Sequence, residues 1–437
     1  MAGQGWYKLD NAAKIIPSSV EGADTRVMRL VCELKEPVEP ELLQEALDLT
    51  MPEYPHMNCC LRRGVFWYYL DNWKGTPPVV EEENLPALSS LYTPGYRSLL
   101  FRVVYFRNRI NVEMFHVLAD GTGALVFLVQ IMTHYLCLKY GMEYEELSQD
   151  ISSITEKEQD AFGLFYENKK QQKINNRKIV RKSFLKEMFP VKAYQIRGHI
   201  DEDLQQHLIE VTVPSEKLKE AARRYGVTIG ILVASLYTEA ILRQMSAFEK
   251  GKPVVISVPV NLRNYFPSST TRNFYGAIQV RFDPAKYDGT LESILCEIRR
   301  EFAENLTEDK VFQTMNSYAA LEHNYAVKMT PLVLKYWGIR GYNNLVKKGV
   351  TTSVSNLGVI DIPDALRPYV EKFVSYMASR TTFLCLTSFG DKTVFGLTSC
   401  FTDHAVYMHL IRSLTGMGIP AEVASNDFDK MNDGEES

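Results

Sequence analysis

The sequence has little net charge and little reactive sulfur. Its 437 residues carry 49 Lys and Arg against 53 Asp and Glu, a formal charge of -4, so there is no global attraction for nucleic acid or for an anionic bilayer. The 7 cysteines are odd in number, scattered from Cys32 to Cys400 and without a CxxC pair. That excludes a disulfide scaffold and a cysteine metal knuckle, and reduced thiols inside the core are expected. Also missing are a GxxxxGK[ST] phosphate loop, the third glycine that would turn Gly121-Thr122-Gly123 into a dinucleotide fingerprint, a GxSxG elbow and an HExxH pair. His404 and His409 fall on different sides of a helix, so no metal is expected. No run of about 18 uncharged apolar residues marks a membrane span. Met1 to Lys8 has neither the basic nor the apolar region of a signal peptide, which makes the cytoplasm the expected location.

What is present is an ordinary globular composition, 46% hydrophobic, over a length that suits two or three domains. An α/β chain is expected. Arg26 to Leu34 alternates as a strand, and Leu42, Leu43, Ala46 and Leu49 fall at helical spacing within Glu39 to Met51. Met57 to Leu61 and Val65 to Leu70 flank Arg62-Arg63-Gly64 as a hairpin. After a proline-rich surface excursion at 74–98, Leu99 to Phe106 and Ile110 to His116 make a second hairpin. Residues 141–200 lose apolar periodicity and carry a basic cluster from Lys169 to Lys182. This is a solvated connection, or alternatively an attraction for a phosphate-bearing cofactor.

The second half offers strands at His207 to Val213 and Val254 to Val260, with Ser215 capping a helix that runs to Tyr225. Helices follow at Ile229 to Met245 and Leu291 to Leu306, then a strand at Thr351 to Leu357. A third hairpin joins Thr381–Phe389 to Thr393–Cys400 and leads into a helix from His404 to Leu414. Leu99–Leu138 and Thr381–Leu414 thus share an order of strand, tight turn, strand, Asp and helix. Two similarly built halves facing one another are expected: 1–175 and 206–425, joined by a crossover at 176–205, with a disordered acidic tail at 426–437. Tyr7 to Pro17 has Asp10 and Lys14 as its strong polar groups, and pattern assigns it no role.

Chemistry concentrates in Phe115 to Gly123, at the junction of a strand and a helix. Ile110, Val112, Met114 and His116 alternate with Asn111, Glu113 and Phe115, which puts His116 with the apolar set. Ala124 to Leu138 reads as a buried helix, too short and interrupted for a membrane span. A histidine walled by apolar side chains at a strand end stays neutral and can accept a proton near pH 7. Asp120 is placed to bond the turn's backbone or a distant cation, while Gly121 and Gly123 let the chain bend tightly and leave room for a ligand. Arg263 ends the strand Val254–Val260, where a cation needs a carboxylate or water. Ser353, Ser355 and Asn356 stand at another strand end, in a position to donate to a developing oxyanion.

Together these residues resemble a family. The HxxxDG of His116 to Gly121, the run Pro259-Val260-Asn261-Leu262-Arg263, Gly226-Val227-Thr228 before an apolar helix, and Ser355-Asn356-Leu357-Gly358 are similar to the CoA-dependent acyltransferase superfamily. That superfamily includes chloramphenicol acetyltransferase, plant BAHD enzymes and the condensation domains of peptide synthetases. The resemblance spans residues 7–415 and is strongest to the bacterial alcohol acetyltransferase-like branch. It implies two mixed-sheet α/β subdomains flanked by helices, with an active-site tunnel between them. Carried over by position, His116 would be the general base, Asp120 the structural partner of Arg263, and Ser355 a group near the oxyanion, with Gly121 and Asn356 shaping the site. One departure is Phe115, where many relatives have a first histidine; alternation turns it away from His116.

The implied reaction moves an acyl group, in the first instance acetyl, from acyl-CoA to a hydroxyl or amine acceptor. Acyl-CoA (acetyl-CoA) would be co-substrate, and no cofactor would be held permanently. A first alternative draws the acyl group from the phosphopantetheine of an acyl carrier protein, with Lys169 to Lys182 as a docking candidate. A second is a binding protein of the same fold that has lost catalysis.

Overall fold

The computed structural model describes residues 5–147, 152–168, 191–200, 202–313 and 329–426. The strands and helices read from the sequence follow in their order, and Tyr275–Phe282, Val370–Met377, Glu422–Ser425 and the helix Leu332–Lys347 are added to them. The first half supplies β1 (Trp6–Lys8), β2 (Val27–Leu34), α1 (Pro40–Thr50), β3 (Cys59–Arg63), β4 (Tyr68–Asn72), β5 (Val80–Glu82), β6 (Phe101–Phe106), β7 (Arg109–Phe115) and α2 (Gly121–Tyr140). A small sheet has the order β1-β4-β3, so the lead-in segment is fastened to the aromatic hairpin. β2, β7 and β6 pair antiparallel, and β5, from within the proline-rich excursion, adds parallel to β6. α1 lays Leu43, Ala46 and Leu47 on this sheet's core but leaves Leu49 exposed.

One expectation needs correction here. α2 is 20 residues long and, with a mean hydropathy of 1.5 over its most apolar 18-residue stretch, is long and apolar enough to cross a membrane; 67% of that stretch is nevertheless buried inside the protein. It is the central core helix, apolar nearly all round because it is covered nearly all round. The second face of β7 is buried as well. β7 lies between β2 and β6, so Glu113 is fully buried, held by Arg29 at 3.1 Å and Arg102 at 2.8 Å. Paired in this way a buried carboxylate is tolerated, and it costs dearly only when a partner is lost.

The second half contributes β8 (His207–Pro214), β9 (Val254–Asn261), β10 (Tyr275–Phe282), β11 (Thr352–Val359), β12 (Val370–Met377), β13 (Thr382–Phe389), β14 (Lys392–Ser399) and β15 (Glu422–Ser425). Seven of these make a sheet of order β10-β9-β11-β13-β14-β8-β15, with β11 parallel to both neighbours. The helices Ile229–Gln244, Leu291–Asn305 and Ala405–Gly416 cover it. Ser215 begins a helix rather than capping it, because its hydroxyl is bonded to Thr393 at 2.8 Å. Six cysteines are buried as expected; Cys296 is exposed on the helix Leu291–Asn305.

One strand crosses the division between the halves. β12 pairs antiparallel with the open edge of β2 and completes a five-stranded sheet of order β12-β2-β7-β6-β5. Gly396 of β14 permits the crossing, since a Cβ there would stand 2.0 Å from the Ser375 carbonyl oxygen of β12. The junction is reinforced by a buried ionic group: Glu210 of β8 receives Arg109 at 3.0 Å and Lys372 at 2.5 Å. The basic cluster Lys169–Lys182 and residues 427–437 of the tail lie outside the described residues.

Candidate active site

β7 ends at Phe115, whose ring stacks on Tyr92 inside the first-half core at 5.3 Å. The chain turns at the next residue, so His116 leaves the set of Ile110, Val112 and Met114 that alternation joins it to and faces the second half. Its backbone N–H donates to the Arg26 carbonyl at 3.0 Å, and its ring lies against Tyr275 at the start of β10 with centroids 5.3 Å apart. The imidazole is half-buried at the seam. Burial lowers its pKa below the ordinary 6.5, a bond to its own backbone and the nearby Asp120 working against that shift. The neutral form that accepts a proton is the one favoured at pH 7.

Asp120 does not touch the ring. One carboxylate oxygen caps α2, accepting from the Gly123 N–H at 2.9 Å; the other accepts from Arg263 Nη1 and from the Phe274 N–H, each at 2.8 Å. Arg263 spends its remaining donors on the second half's own loop: the Thr270 carbonyl at 2.9 and 3.0 Å and the Arg272 carbonyl at 2.7 Å. The expected pairing of Asp120 with Arg263 is thus present. It fastens the first turn of α2 to the loop between β9 and β10.

The glycines act differently from expectation. Neither Gly121 nor Gly123 takes a left-handed conformation. At Gly123 the space goes to backbone rather than to a ligand, because a Cβ would stand 1.9 Å from the Thr271 carbonyl oxygen. At Gly121 the neighbour is the far end of the Leu357 side chain at 3.0 Å, which can give way. Gly123→Ala is therefore expected to destabilise by at least about 1–3 kcal/mol, the range for overpacking, and Gly121→Ala by much less. Thermal unfolding of the two variants checks this; equal melting temperatures would contradict it.

Ser355 and Asn356 lie on β11, the strand whose Leu357 reaches Gly121. Ser355 is half-buried and, with Ser375 of β12, hydrogen-bonds the buried Cys385 thiol. Asn356 is exposed and its side chain accepts from the Gly358 N–H at 2.8 Å, an Asx turn that ends the regular pairing. The structure brings His116, Asp120, Gly121 and Arg263 together; Ser355 stands along the same seam, and Asn356 is turned to its own backbone. Beside Arg26 a cavity of about 140 Å³ opens between the halves, bordered by Ser353, Lys347 and Arg380. A second cavity, of about 470 Å³, is lined by Trp73 and Pro77 among others and touches none of these residues.

The sequence matches no protein-family model and no curated protein. Solved structures do match. The first condensation domain of the calcium-dependent antibiotic synthetase, bound to a substrate analogue, superposes with a TM-score of 0.63 at 13% identity, covering 94% of this chain and 95% of that one. The chain has the condensation-domain fold. A trichothecene 15-O-acetyltransferase from Fusarium sporotrichioides shares it at TM-score 0.60 and 10% identity, with 94% of each chain covered. So does the starter condensation domain of rhizomide synthetase, solved as a mutant in complex with C8-CoA, at TM-score 0.60 and 15% identity over 94% of each chain.

Within this condensation-domain fold, the segment 270–274 is the part of the site that sequence reading missed. Thr270, Thr271, Arg272, Asn273 and Phe274 are all buried. Asn273 meets His116, and Arg272 lies 3.8 Å from Asp10 of the lead-in segment. Thr271 accepts from or donates to His56 at 2.8 Å and binds the Lys157 carbonyl, so the connecting segment also packs here. Burial, then Arg272 and Lys157, push the His56 pKa down to about 3. A run reading Thr-Thr-Arg-Asn has no apolar period, and only its position shortly after the Arg-ended strand hinted at it.

Proposed function

We propose that this protein is an acyltransferase that carries an acyl group from acyl-CoA to a hydroxyl or amine acceptor by direct attack, with His116 as general base. The observation that supports this most is the state of His116: neutral, at the seam between two halves, with Nδ1 engaged and no protein hydrogen bond on Nε2 among the described residues. Nε2 would take the acceptor's proton as its oxygen or nitrogen attacks the thioester carbonyl. The tetrahedral intermediate then collapses, the C–S bond breaks, and the imidazolium returns the proton to the departing thiolate. No acyl-enzyme is needed. Ser355, on β11 along the same seam, is the candidate donor to the oxyanion, and Asp120 and Arg263 hold the junction from which the base projects.

The neighbours' names support the donor and acceptor classes in kind: one is an O-acetyltransferase and one was solved with an acyl-CoA. A carrier-protein thioester is the second reading, since other neighbours are condensation domains of a synthetase. Activity with an acylated carrier protein and none with acyl-CoA would select it.

A pH prediction follows. Because the neutral imidazole is the active form and its pKa is lowered, kcat/KM for acyl transfer should stay level down to about 6.5 and fall tenfold per unit below the folded pKa. Asp10, raised to about 6 by burial against the opposing effect of Arg272, titrates in the same range. A limb that stays in place in Asp10→Asn therefore belongs to His116. A limb above pH 7 would contradict the assignment. Ser355→Ala should lower kcat by no more than about 100-fold, the lower end for one oxyanion donor. That loss should be smaller than the loss in His116→Ala.

A further inference from the structure

The lead-in segment and the loop at 270–274 converge on one side chain. Asn273 is buried, and its Nδ2 faces three oxygens: the His116 carbonyl at 3.0 Å, the Val117 carbonyl at 3.3 Å and Asp10 Oδ2 at 3.3 Å. Two carbonyls and a carboxylate can only accept, so the amide's N–H groups must point there. Its Oδ1 then points at His116 Nδ1, 3.0 Å away. An amide oxygen can only accept as well. Nδ1 must carry the hydrogen, and the lone pair is left on Nε2.

Asp10 is itself fixed. It is fully buried, its Oδ1 accepts from the Ala13 N–H at 2.7 Å as the chain turns into a short helix, and Arg272 stands 3.8 Å from its Oδ2. β1, just before it, is pinned to β4. The position of Asn273 is therefore set from the first residues of the fold, and not by its own loop alone.

We infer that Asp10 and Asn273 are positioning residues that hold His116 in its Nδ1–H tautomer, Asp10 orienting the amide and the amide orienting the ring. The value of the device rests on the general-base reading above, because a proton on Nε2 would block acceptance from the acceptor. The tautomer itself does not depend on that reading. The Asn273 amide also donates to the His116 carbonyl, so losing Asn273 releases both the ring and the backbone of His116.

The test is ¹⁵N spectroscopy of the full chain labelled at histidine, with His116 assigned by loss of its signals in His116→Ala, alongside steady-state kinetics with acetyl-CoA. Wild type should show Nδ1 protonated and Nε2 bare. Asn273→Leu should shift His116 toward the Nε2–H form and lower kcat by about 10- to 100-fold, the range for groups that orient metal-bound histidines, with KM for the thioester little changed. Asp10→Leu should move the same signals, and Asp10→Asn, which retains an acceptor oxygen, should restore them. Asn273→Ala serves if the leucine variant does not fold. An unchanged tautomer in a folded Asn273 variant overturns the inference, whatever happens to rate. A tautomer that responds as expected in a protein that consumes no acyl thioester leaves the inference standing and removes the acyltransferase reading instead.

Discussion

His116→Ala is expected to lower kcat/KM for acyl transfer by about 100- to 10,000-fold, the usual contribution of a positioned general base. The size follows from what the ring does and what survives without it. The alanine variant still holds both substrates, and orientation within one site supplies a large share of any rate enhancement. Folding should suffer little. The ring is half-buried, and its neighbour Phe115, which carries the packing, is untouched. A stopped or continuous assay of thiol release, with circular dichroism and unfolding curves on the same preparations, separates the two effects. An alanine variant with wild-type rate would leave His116 a merely structural residue.

Asp120→Asn is expected to act in the opposite way, costing about 3–5 kcal/mol of stability and sparing the chemistry of whatever remains folded. Both carboxylate oxygens receive donors: Gly123 N–H on one, Arg263 and Phe274 N–H on the other. An amide must turn its NH₂ toward one of these sets, setting donor against donor at the buried end of the pair, and it leaves the half-buried Arg263 without a counter-charge. Breaking a buried pair by removing one partner falls in that range. Arg263→Leu should cost a similar amount, since it strands Asp120 and releases the Thr270 and Arg272 carbonyls. Denaturant unfolding reads the loss directly. Unchanged midpoints in both variants would show that the pair does not hold the junction.

The parts of this site that sequence could show are those with a local period. The hairpin of β6 and β7 and the apolar helix after it are visible because alternation gives way to a continuous apolar run, and Asp120 sits where a helix cap belongs. The pairing of Asp120 with Arg263 was approachable because each lies at an end where an unpaired charge is expensive. The burial of Glu113 has no local sign. A charged residue in an alternating strand signals solvent, unless the strand is central and arginines come from both sides. No strand is read from the sequence at β12, and the sheet it joins is decided by an open edge on β2 and by Gly396, far apart in sequence. Asn273 and Asp10 left no pattern at all: single polar residues in polar stretches acquire meaning from three-dimensional neighbours.

The measurement that tests the central claim most directly is thiol release from acetyl-CoA and longer acyl-CoAs against a panel of alcohols and amines, with wild type and His116→Ala side by side. Acceptor-dependent release by wild type that disappears in the alanine variant is the expected result. No release from any acyl-CoA or acylated carrier protein, by a folded wild-type chain that still binds acyl-CoA, would contradict it and leave a binding protein of the condensation-domain fold.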